Sequence, residues 1–363
     1  MRWFTWIRLQ QSLLLVGVFC LMAVAASAQD ADSDSPILDR IQERGELICG
    51  VNQNLIGFGL RDDDAEGGFV GFDVDLCRAV AIAVLGDASA VQYLPLSGDE
   101  RGPSFANDLI DMMSRNTTFT VSRDTEWAVI FGPTMFYDGQ GVMTRAELGV
   151  FNIDELDGEA ICVQSGTTTE LNITDYVFSR DLNIEIQVYP TAARTWDAYI
   201  SGRCNGWTTD KSGLASFRLQ AENPDEHVIL AETISKEPLG PLSSQRDQRF
   251  AEIIRWTMYG LIQAEEFGIT SDNIASFLPA EGESDDAYIS RVGPGVARFL
   301  GQANQESGSY LGVANDFMVD VVSTLGNYGQ LYERHLSPLG LERERTLNDL
   351  WTNSGALYAP PFR

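Results

Sequence analysis

Short stretches with the composition of β-strands alternate along this chain with longer stretches of helical periodicity. The strand-like stretches are residues 46–52, 91–94, 119–121, 158–163 and 184–189. The helix-like stretches are residues 36–44, 71–85 and 195–201, and the sequence SGTTTELN from residue 165 starts a further helix. Apolar residues in 71–85 recur at helical spacing, as in Phe72, Leu76 and Val80. Such alternation predicts an α/β fold in which parallel-type sheets are flanked by helices.

The first 28 residues have the pattern of an export signal. Arg2 and Arg8 supply positive charge, residues 13–26 are almost wholly apolar, and Ala26-Ser27-Ala28 is a small-residue cleavage site. We therefore expect residues 1–28 to be removed and the mature protein to lie in the periplasm; a retained signal anchor is the alternative. A mature chain of about 335 residues is large enough for two domains.

The charge of the chain excludes two classes of partner. Its 52 acidic residues against 25 basic ones give a net charge of −27, and removal of the two leader arginines makes it more negative. Such a charge repels nucleic acids and anionic lipid headgroups. The chain has two histidines, His227 and His335, which argues against histidine-based catalysis. We expect no catalytic residue, no metal and no cofactor.

Four cysteines remain after the leader: Cys49, Cys77, Cys162 and Cys204. Disulfides persist in the periplasm, but four cysteines allow three pairings and the sequence does not choose among them. Cys49 falls on an early strand, Cys77 on the next helix, and Cys162 and Cys204 on two later strands. This placement favours the pairs 49–77 and 162–204, each inside one structural unit. A metal site is the competing interpretation, against which the wide spacing and the lack of a nearby histidine both count.

Four predicted loops follow the strands: residues 52–58, 116–123, 164–168 and 208–210. Ligands of parallel sheets bind outside the carboxyl ends of the strands, where these loops lie. The stretch RNTTFTVSRD, residues 115–124, holds several hydroxyls and Arg123, whose planar guanidinium can grip both oxygens of a carboxylate. This stretch predicts a site for the head group of an amino acid. The alternative is a threonine-rich strand with a surface arginine.

A series of motifs in these regions resembles the periplasmic general L-amino-acid-binding proteins of polar amino-acid ABC transporters. The motifs, in chain order, are GVNQNLIGFG, VGFDVDLCRAVA, YLPLS, SRNTTFTVSRDT, MFYDGQGVM, ICVQSGTTTELN, SGRCNGWTTDKSGLASFR, ISKEPLGP and GNYGQLYER, before a final YAPPFR. The resemblance implies the two-lobe type II periplasmic binding protein (Venus-flytrap) fold. In this fold each lobe is a mixed sheet flanked by helices, and two crossover strands form the hinge. Lobe one would comprise residues 36–138 plus 232–363, and lobe two residues 139–231.

The resemblance also assigns ligand contacts position by position. Arg123 matches the arginine that binds the α-carboxylate, and Thr118 a hydroxyl contact beside it. Asn116 matches a backbone carbonyl that accepts from the α-ammonium, and Asp210 the carboxylate that receives it. Thr168 matches a backbone N–H donor at a helix N-terminus, where anions are favoured. The alternatives are that Thr168 caps its helix and that Asp210 is an ordinary loop acid.

The resemblance says less about side-chain specificity. Asn52 stands where narrowly specific relatives carry an acid, so a dedicated site for basic amino acids is not expected. Arg101 matches a basic position that could meet a Glu or Asp side chain. The sequence around it departs from the family, and this departure favours the alternative, a surface position. We therefore expect broad L-amino-acid binding with a bias toward Glu, Asp, Gln and Asn.

The implied function is capture of an amino acid by closure of the two lobes, followed by delivery to the permease subunits of an ABC importer driven by its ATPase. We expect a monomer that is not an enzyme. Two other classes stay open: an enzyme on the same fold, such as a periplasmic dehydratase of carboxylated rings, and a binding module that reports its ligand to a membrane receptor.

Overall fold

The computed structural model describes residues 35–363, so the expected signal, residues 1–28, lies outside the described residues. The helices within them are α1 (Pro36–Arg44), α2 (Phe72–Leu85), α3 (Arg101–Ala106), α4 (Val121–Glu126), α5 (Thr168–Ser179), α6 (Ala192–Ile200), α7 (Lys211–Arg218), α8 (Gln248–Glu266), α9 (Asp285–Val292), α10 (Pro294–Phe299), α11 (Phe317–Leu325) and α12 (Tyr328–His335). The strands are β1 (Leu47–Val51), β2 (Asn54–Leu55), β3 (Gly59–Arg61), β4 (Phe69–Val70), β5 (Val91–Pro95), β6 (Met112–Met113), β7 (Val129–Phe131), β8 (Phe136–Asp138), β9 (Gln140–Arg145), β10 (Ala160–Gln164), β11 (Glu185–Tyr189), β12 (Gly206–Asp210), β13 (His227–Ile229), β14 (Glu237–Leu239) and β15 (Leu242–Ser244).

Within residues 35–363, ten of the strands form two five-stranded mixed sheets, and β2, β3 and β4 form a small antiparallel sheet. The first has the order β5-β1-β6-β15-β7, with β1 parallel to β5 and β6, and β15 antiparallel to β6 and β7. The second has the order β11-β10-β12-β9-β13, with β10 parallel to β11 and β12, and β9 antiparallel to β12 and β13. We call the first sheet with α1–α4 and α8–α12 lobe one, and the second sheet with α5–α7 lobe two. The predicted two-lobe α/β fold is confirmed.

Two paired strands carry the chain between the lobes. The chain leaves β7 of the first sheet through β8 and enters β9 of the second, and it returns from β13 through β14 to β15. Strands β8 and β14 pair antiparallel, with Asp138 opposite Glu237 and Phe136 opposite Leu239. A pair of this kind is the short connection through which a hinge can act. The residue boundaries 36–138, 139–231 and 232–363 stay a prediction.

Apolar side chains pack against the sheet of each lobe and form the core of that lobe. In lobe one, helix α2 buries Leu76 and Val80 against the sheet, and α8 buries Ile254 and Leu261. Lobe two has a core of its own, which includes Val142, Ile153, Leu156, Ile161, Val163 and Ile173. Burial of each such side chain contributes about 1.5–3 kcal/mol. The ligand-binding candidates lie where these rigid cores end.

The cysteines pair within the lobes. Cys49 on β1 bonds to Cys77 on α2 with their Cα atoms 6.2 Å apart, and Cys162 on β10 bonds to Cys204 with a separation of 5.7 Å. The favoured pairing is therefore confirmed over the metal interpretation for these residues. Cys204 lies just before β12 rather than on a strand. Each bridge ties a central strand to the neighbouring part of its own lobe.

Hydrogen bonds connect residues near both ends of the described chain to residues in its middle. The side chain of Asp247 accepts from the backbone N–H groups of Ile37 and Leu38 at 2.9 and 3.0 Å. Near the other end, the buried Asn348 accepts from Tyr137 N at 2.7 Å and donates to Tyr137 O at 3.0 Å. Asn348 thereby occupies the free edge of crossover strand β8 as a neighbouring strand would.

One predicted strand is wrong. Residues 119–121 do not form a strand edge; Thr120 instead caps helix α4, where its side chain accepts from Arg123 N at 3.2 Å. Threonine in a β-rich context favours a strand by propensity, but as an N-cap it satisfies a free N–H of the helix. Residues 208–210, expected in a loop, are the last residues of β12. Among residues 35–363 there is no helix long and apolar enough to cross a bilayer.

Candidate functional site

A cleft lies between the lobes at the carboxyl ends of the central strands. The space between its atoms, counted together with the opening to solvent, is about 520 Å³. Its lining residues come from both lobes: Asn52, Leu55, Arg101, Arg115, Asn116, Thr118 and Arg123 from lobe one, and Gln164, Thr167, Thr168, Thr169, Ala192, Trp207, Thr209, Asp210, Gly213 and Phe217 from lobe two. All seven ligand-binding candidates from the sequence are among them.

Arg123 is held in the cleft by a backbone carbonyl and by an aromatic ring. It is 7% exposed, its Nη1 donates to the carbonyl oxygen of Thr118 at 3.0 Å, and its guanidinium lies 5.3 Å from the ring centre of Trp127. Burial lowers the pKa of Arg123 below its ordinary value, whereas Asp210 and Glu237 raise it. The group stays a cation, with most of its five N–H donors left for a ligand. This geometry suits an anion that enters the cleft.

Two further arginines line the same cleft. Arg101 is 3% exposed, so the alternative of a surface residue is wrong. Its Nε donates to Gly98 O at 3.0 Å and its Nη2 donates across the cleft to Gly166 O at 3.1 Å. Burial lowers the pKa of Arg101 well below its ordinary value, and the nearby Arg123 and Arg115 lower it further. Burial likewise lowers the pKa of Arg115 to about 10, although Asp73 opposes this shift.

Within the part of the chain that the structure describes, these three guanidiniums lack carboxylate partners. Among residues 35–363, none of Arg101, Arg115 and Arg123 has a carboxylate oxygen within 4.0 Å. Buried charges are normally paired, because desolvation costs several kcal/mol per ion. The lining of the cleft therefore carries an excess of positive charge that an anionic ligand would neutralise.

Asp210 is the one acid among the described residues that line the cleft. It is 7% exposed at the end of β12, and no described residue donates a hydrogen bond to its carboxylate. Burial raises its pKa well above the ordinary value, Asp138 and Glu237 raise it further, and Arg123 and Arg101 oppose them. A cation that entered the cleft would stabilise the ionised form. The acid of the cleft thus lies on lobe two, whereas the three arginines lie on lobe one.

Two threonine hydroxyls in the lining have their protons engaged. Thr118 Oγ1 donates to Glu237 Oε2 at 2.6 Å, and Thr168 Oγ1 donates to the same oxygen at 2.9 Å. Since a hydroxyl has one proton, each presents lone pairs to the cleft. Thr168 is the first residue of α5, but Thr167 is the cap and accepts from Glu170 N at 3.1 Å. The alternative that Thr168 caps its helix is therefore wrong, and its backbone N–H lies in the first turn.

Asn116 and Asn52 shape the floor of the cleft on lobe one. Asn52 Nδ2 donates to Asn116 Oδ1 at 3.2 Å, and Asn116 N donates to the buried carboxylate of Asp73 at 2.7 Å. Asn116 has a φ of 29°, in the left-handed region that asparagine tolerates better than most residues. Burial raises the pKa of Asp73 to about 6, although its hydrogen bonds from Asn116 and Ser114 lower it.

Sequence reasoning missed part of this site. Arg115, Gln164, Trp207 and Phe217 line the cleft without having been proposed, and Glu237 organises it from behind. Arg115 stands at the start of the RNTTFTVSRD stretch, so its position was the available signal. No spacing rule would have marked Trp207, which reaches the cleft from the packed face of lobe two. Within residues 35–363 no group of acids, histidines and cysteines is arranged to hold a metal ion.

The lobes are in contact around the cleft. Besides the bond from Arg101 to Gly166 O, the hydroxyl of Ser165 in lobe two donates to Asp99 Oδ2 in lobe one at 2.9 Å. A cleft lined from two lobes, joined by a pair of crossover strands, is the architecture of extracellular solute-binding proteins. The model of one such family, bacterial extracellular solute-binding proteins, family 3, matches residues 47–337. The chain belongs to this family.

Three similar proteins of about this length carry names that describe them as binding proteins. The general L-amino acid-binding periplasmic protein AapJ of Rhizobium johnstonii is 45% identical over 94% of this chain and 96% of its own. The glutamate/glutamine/aspartate/asparagine-binding protein BztA of Rhodobacter capsulatus is 41% identical over 96% of this chain and 98% of its own. A solved ABC transporter/periplasmic binding protein from Brucella ovis with glutathione bound is 40% identical, with a TM-score of 0.83 over 90% of this chain and 99% of its own.

Proposed function

We propose that this protein captures L-amino acids in the periplasm by closure of its two lobes and delivers them to an ABC importer. The observation that carries the proposal is the placement of opposite charges on opposite lobes: Arg123 on lobe one and Asp210 on lobe two, both buried in one cleft. An amino acid has a carboxylate and an ammonium on one carbon, and it is therefore complementary to such a pair.

In the proposed complex, Arg123 binds the α-carboxylate and the backbone N–H of Thr168 adds a second donor. Asp210 receives the α-ammonium, together with the hydroxyl oxygen of Thr118 and the carbonyl oxygen of Asn116. Charge-assisted hydrogen bonds of this type contribute about 1.5–3 kcal/mol each. Because these groups address only the atoms that all amino acids share, we expect several L-amino acids to bind.

The excess of positive charge supports a bias toward acidic ligands. After Arg123 has paired with the α-carboxylate, Arg101 and Arg115 are still buried without a carboxylate partner among the described residues. A glutamate or aspartate side chain brings a second carboxylate and so neutralises part of this charge. The names of the relatives, one a general L-amino acid-binding protein and one a glutamate/glutamine/aspartate/asparagine-binding protein, support the same range.

Closure follows from contacts that a ligand makes with both lobes. The ligand docks on lobe one first, and contacts with Asp210 and Thr168 exist only when lobe two has swung in. A ligand shifts such an equilibrium by its difference in affinity for the two states. The closed form then docks on the permease subunits, and an ATPase drives transport. We propose that the protein acts as a monomer, without enzymatic activity, after removal of residues 1–28.

A ligand titration tests the proposal. The protein is unfolded and refolded to strip bound ligand, then titrated in a calorimeter with L-Glu, L-Gln, L-Leu, L-Ala and D-Glu. We expect micromolar or tighter binding of several L-amino acids, with L-Glu among the tightest and D-Glu much weaker. D-Glu binds weakly because holding both head groups fixed turns its side chain into the wall. A response to a single L-amino acid, or equal responses to L-Glu and D-Glu, would refute general L-amino-acid binding.

A further inference from the structure

Glu237 is a buried acid on the crossover pair, directly behind the cleft. It is the first residue of β14, lies opposite Asp138 on β8, and is 1% exposed. Its side chain does not line the cleft. The ligand contacts proposed above therefore leave it without a function, although burial of a carboxylate is costly and needs compensation.

Four neutral donors satisfy the Glu237 carboxylate. Thr118 and Thr168 donate their hydroxyl protons to Oε2, at 2.6 and 2.9 Å. Asn172 Nδ2 donates to Oε1 at 3.0 Å, and so does the Ser235 hydroxyl. Among the described residues, no cation lies within 4.0 Å of Glu237. The stability of this buried charge thus depends on hydrogen bonds whose donors stay in place.

These donors belong to different lobes. Thr118 moves with β14, because it forms a bridge with Leu239 and because Phe119 N donates to Pro238 O at 2.9 Å. Glu237 and Thr118 are thereby fixed to one body. Thr168 and Asn172 lie one helical turn apart on α5, which belongs to lobe two. Opening of the cleft carries α5 away and removes two of the four donors from the carboxylate.

We propose that Glu237 is the latch of lobe closure, a positioning residue that favours the closed state through α5 and turns the Thr118 and Thr168 oxygens toward the ligand. This inference rests on the proposed amino-acid binding. Since the latch forms only as the lobes meet, it stabilises the closed complex without contributing to the first encounter. It acts equally on every ligand, because it does not touch the ligand.

Binding kinetics of Glu237→Gln test the latch. Glutamine keeps the shape but removes the charge and one acceptor oxygen. We expect the dissociation rate of L-Glu, L-Gln and L-Ala, followed by tryptophan fluorescence in a stopped-flow instrument, to rise by the same factor, about tenfold. The association rate should stay within about twofold, since interface changes usually act on dissociation. Glu232→Gln is the matched control, because this substitution removes the same charge. Glu232 accepts a hydrogen bond from Ile153 N and lies outside the cleft.

Variants of Asn172 test the latch even if the Glu237→Gln variant does not fold. Asn172→Ala removes one donor from lobe two and should raise the dissociation rate about threefold. Asn172→Asp places a second carboxylate against Glu237 and should raise it further. Combining Asn172→Asp with Glu237→Gln exchanges the amide and the acid, and it should restore part of the lost lifetime. A purely structural role of either residue would lower thermal stability without this rescue.

The outcomes separate the latch from the proposed function. If the unaltered protein binds none of the three amino acids, the proposed function is wrong. If it binds them and Glu237→Gln leaves the dissociation rates unchanged, the latch is wrong. A loss that differs widely among the three ligands also overturns it, because Glu237 would then act through ligand contact.

Discussion

Arg123 donates from Nη1 to the carbonyl oxygen of Thr118 at 3.0 Å while its guanidinium lies over the ring of Trp127. The bond and the ring hold the side chain in one orientation before any ligand arrives. A group held in place in this way loses little conformational entropy when a ligand binds. The end of the cleft proposed to bind the carboxylate is therefore pre-organised on lobe one, whereas the end proposed to bind the ammonium is completed by Asp210 of lobe two.

The first prediction concerns this clamp. Arg123→Ala should weaken L-amino-acid binding by about 2–5 kcal/mol, because the ligand carboxylate would be buried without its partner. The fold should survive, since Arg123 contributes no apolar core. Calorimetry measures the affinity, and Arg180→Ala, which removes an exposed arginine paired with Asp154, is the control. Near-unchanged affinity in a folded Arg123→Ala protein would contradict the assignment.

The second prediction concerns pH. Burial raises the pKa of Asp210 well above its ordinary value, so the carboxyl holds its proton in the free protein to a higher pH than usual. A ligand ammonium needs the ionised form, and binding therefore releases a proton. Affinity for L-Ala should rise with pH below that raised pKa, by at most about tenfold per pH unit for a single proton.

Calorimetry from acidic to mildly basic pH measures this dependence, and buffers of different ionisation enthalpy reveal the released proton. Asp210→Asn should weaken binding by about 2–5 kcal/mol and remove the pH dependence. Asp225→Asn, at a fully exposed side chain, is the control for the charge change. Affinity that is constant over this range in the unaltered protein would argue against Asp210 as the ammonium partner.

The third prediction concerns selectivity. Arg101→Gln should weaken L-Glu binding by about 1.5–3 kcal/mol more than L-Ala binding, the contribution expected of a hydrogen bond to a charged side chain. Both ligands should also lose some affinity equally, because the bond from Arg101 to Gly166 O across the lobes is lost. Equal losses for L-Glu and L-Ala would show that Arg101 acts only in closure.

The fold was predictable from sequence because its strands and helices follow simple periodicities. Helix 36–44 has the predicted bounds, and the alternation of strands and helices gives the two sheets. The strand predicted at residues 119–121 is wrong because the strand propensity of these residues competes with the capping role of Thr120. The seven proposed ligand residues meet in one cleft, but their individual contacts stay predictions.

The parts of the site that were missed depend on tertiary packing. Glu237 lies 119 positions from Thr118 and 69 positions from Thr168 in the sequence. No local sequence pattern predicts contacts over such separations. Arg101 is buried because α3 packs beneath Trp127 and the cleft. The irregular sequence around Arg101 did not indicate this packing. A buried charge is recognised from its surroundings, and those are known only once the chain is folded.

The fourth prediction concerns the disulfides. The mature protein should contain no free thiol, and each bridge should stabilise it by about 2–4 kcal/mol. The paired replacements Cys49→Ala/Cys77→Ala and Cys162→Ala/Cys204→Ala should each lower the free energy of unfolding by that amount, measured in denaturant. Peptide mapping under non-reducing conditions checks the connectivity. Recovery of a 49–162 or 77–204 peptide would refute it.

The fifth prediction concerns the C-terminal fastening of the hinge. Asn348→Ala leaves the N–H and C=O of Tyr137 without their side-chain partner and should cost about 1–3 kcal/mol of unfolding free energy. Denaturant unfolding measures this, with Asn183→Ala at an exposed position of lobe two as the control. Equal stability of the two variants would show that Asn348 does not support β8.

The fastening of Tyr137 by Asn348 spans 211 residues, and that of Ile37 by Asp247 spans 210. Lobe one is thus assembled from the beginning and the end of the chain, while lobe two comes from one continuous stretch between them. Contacts between residues so far apart in sequence cost more chain entropy to form than the local contacts of lobe two. The arginine half of the cleft therefore belongs to the lobe that depends on the most distant contacts, and the acidic half to the lobe that one continuous stretch can form.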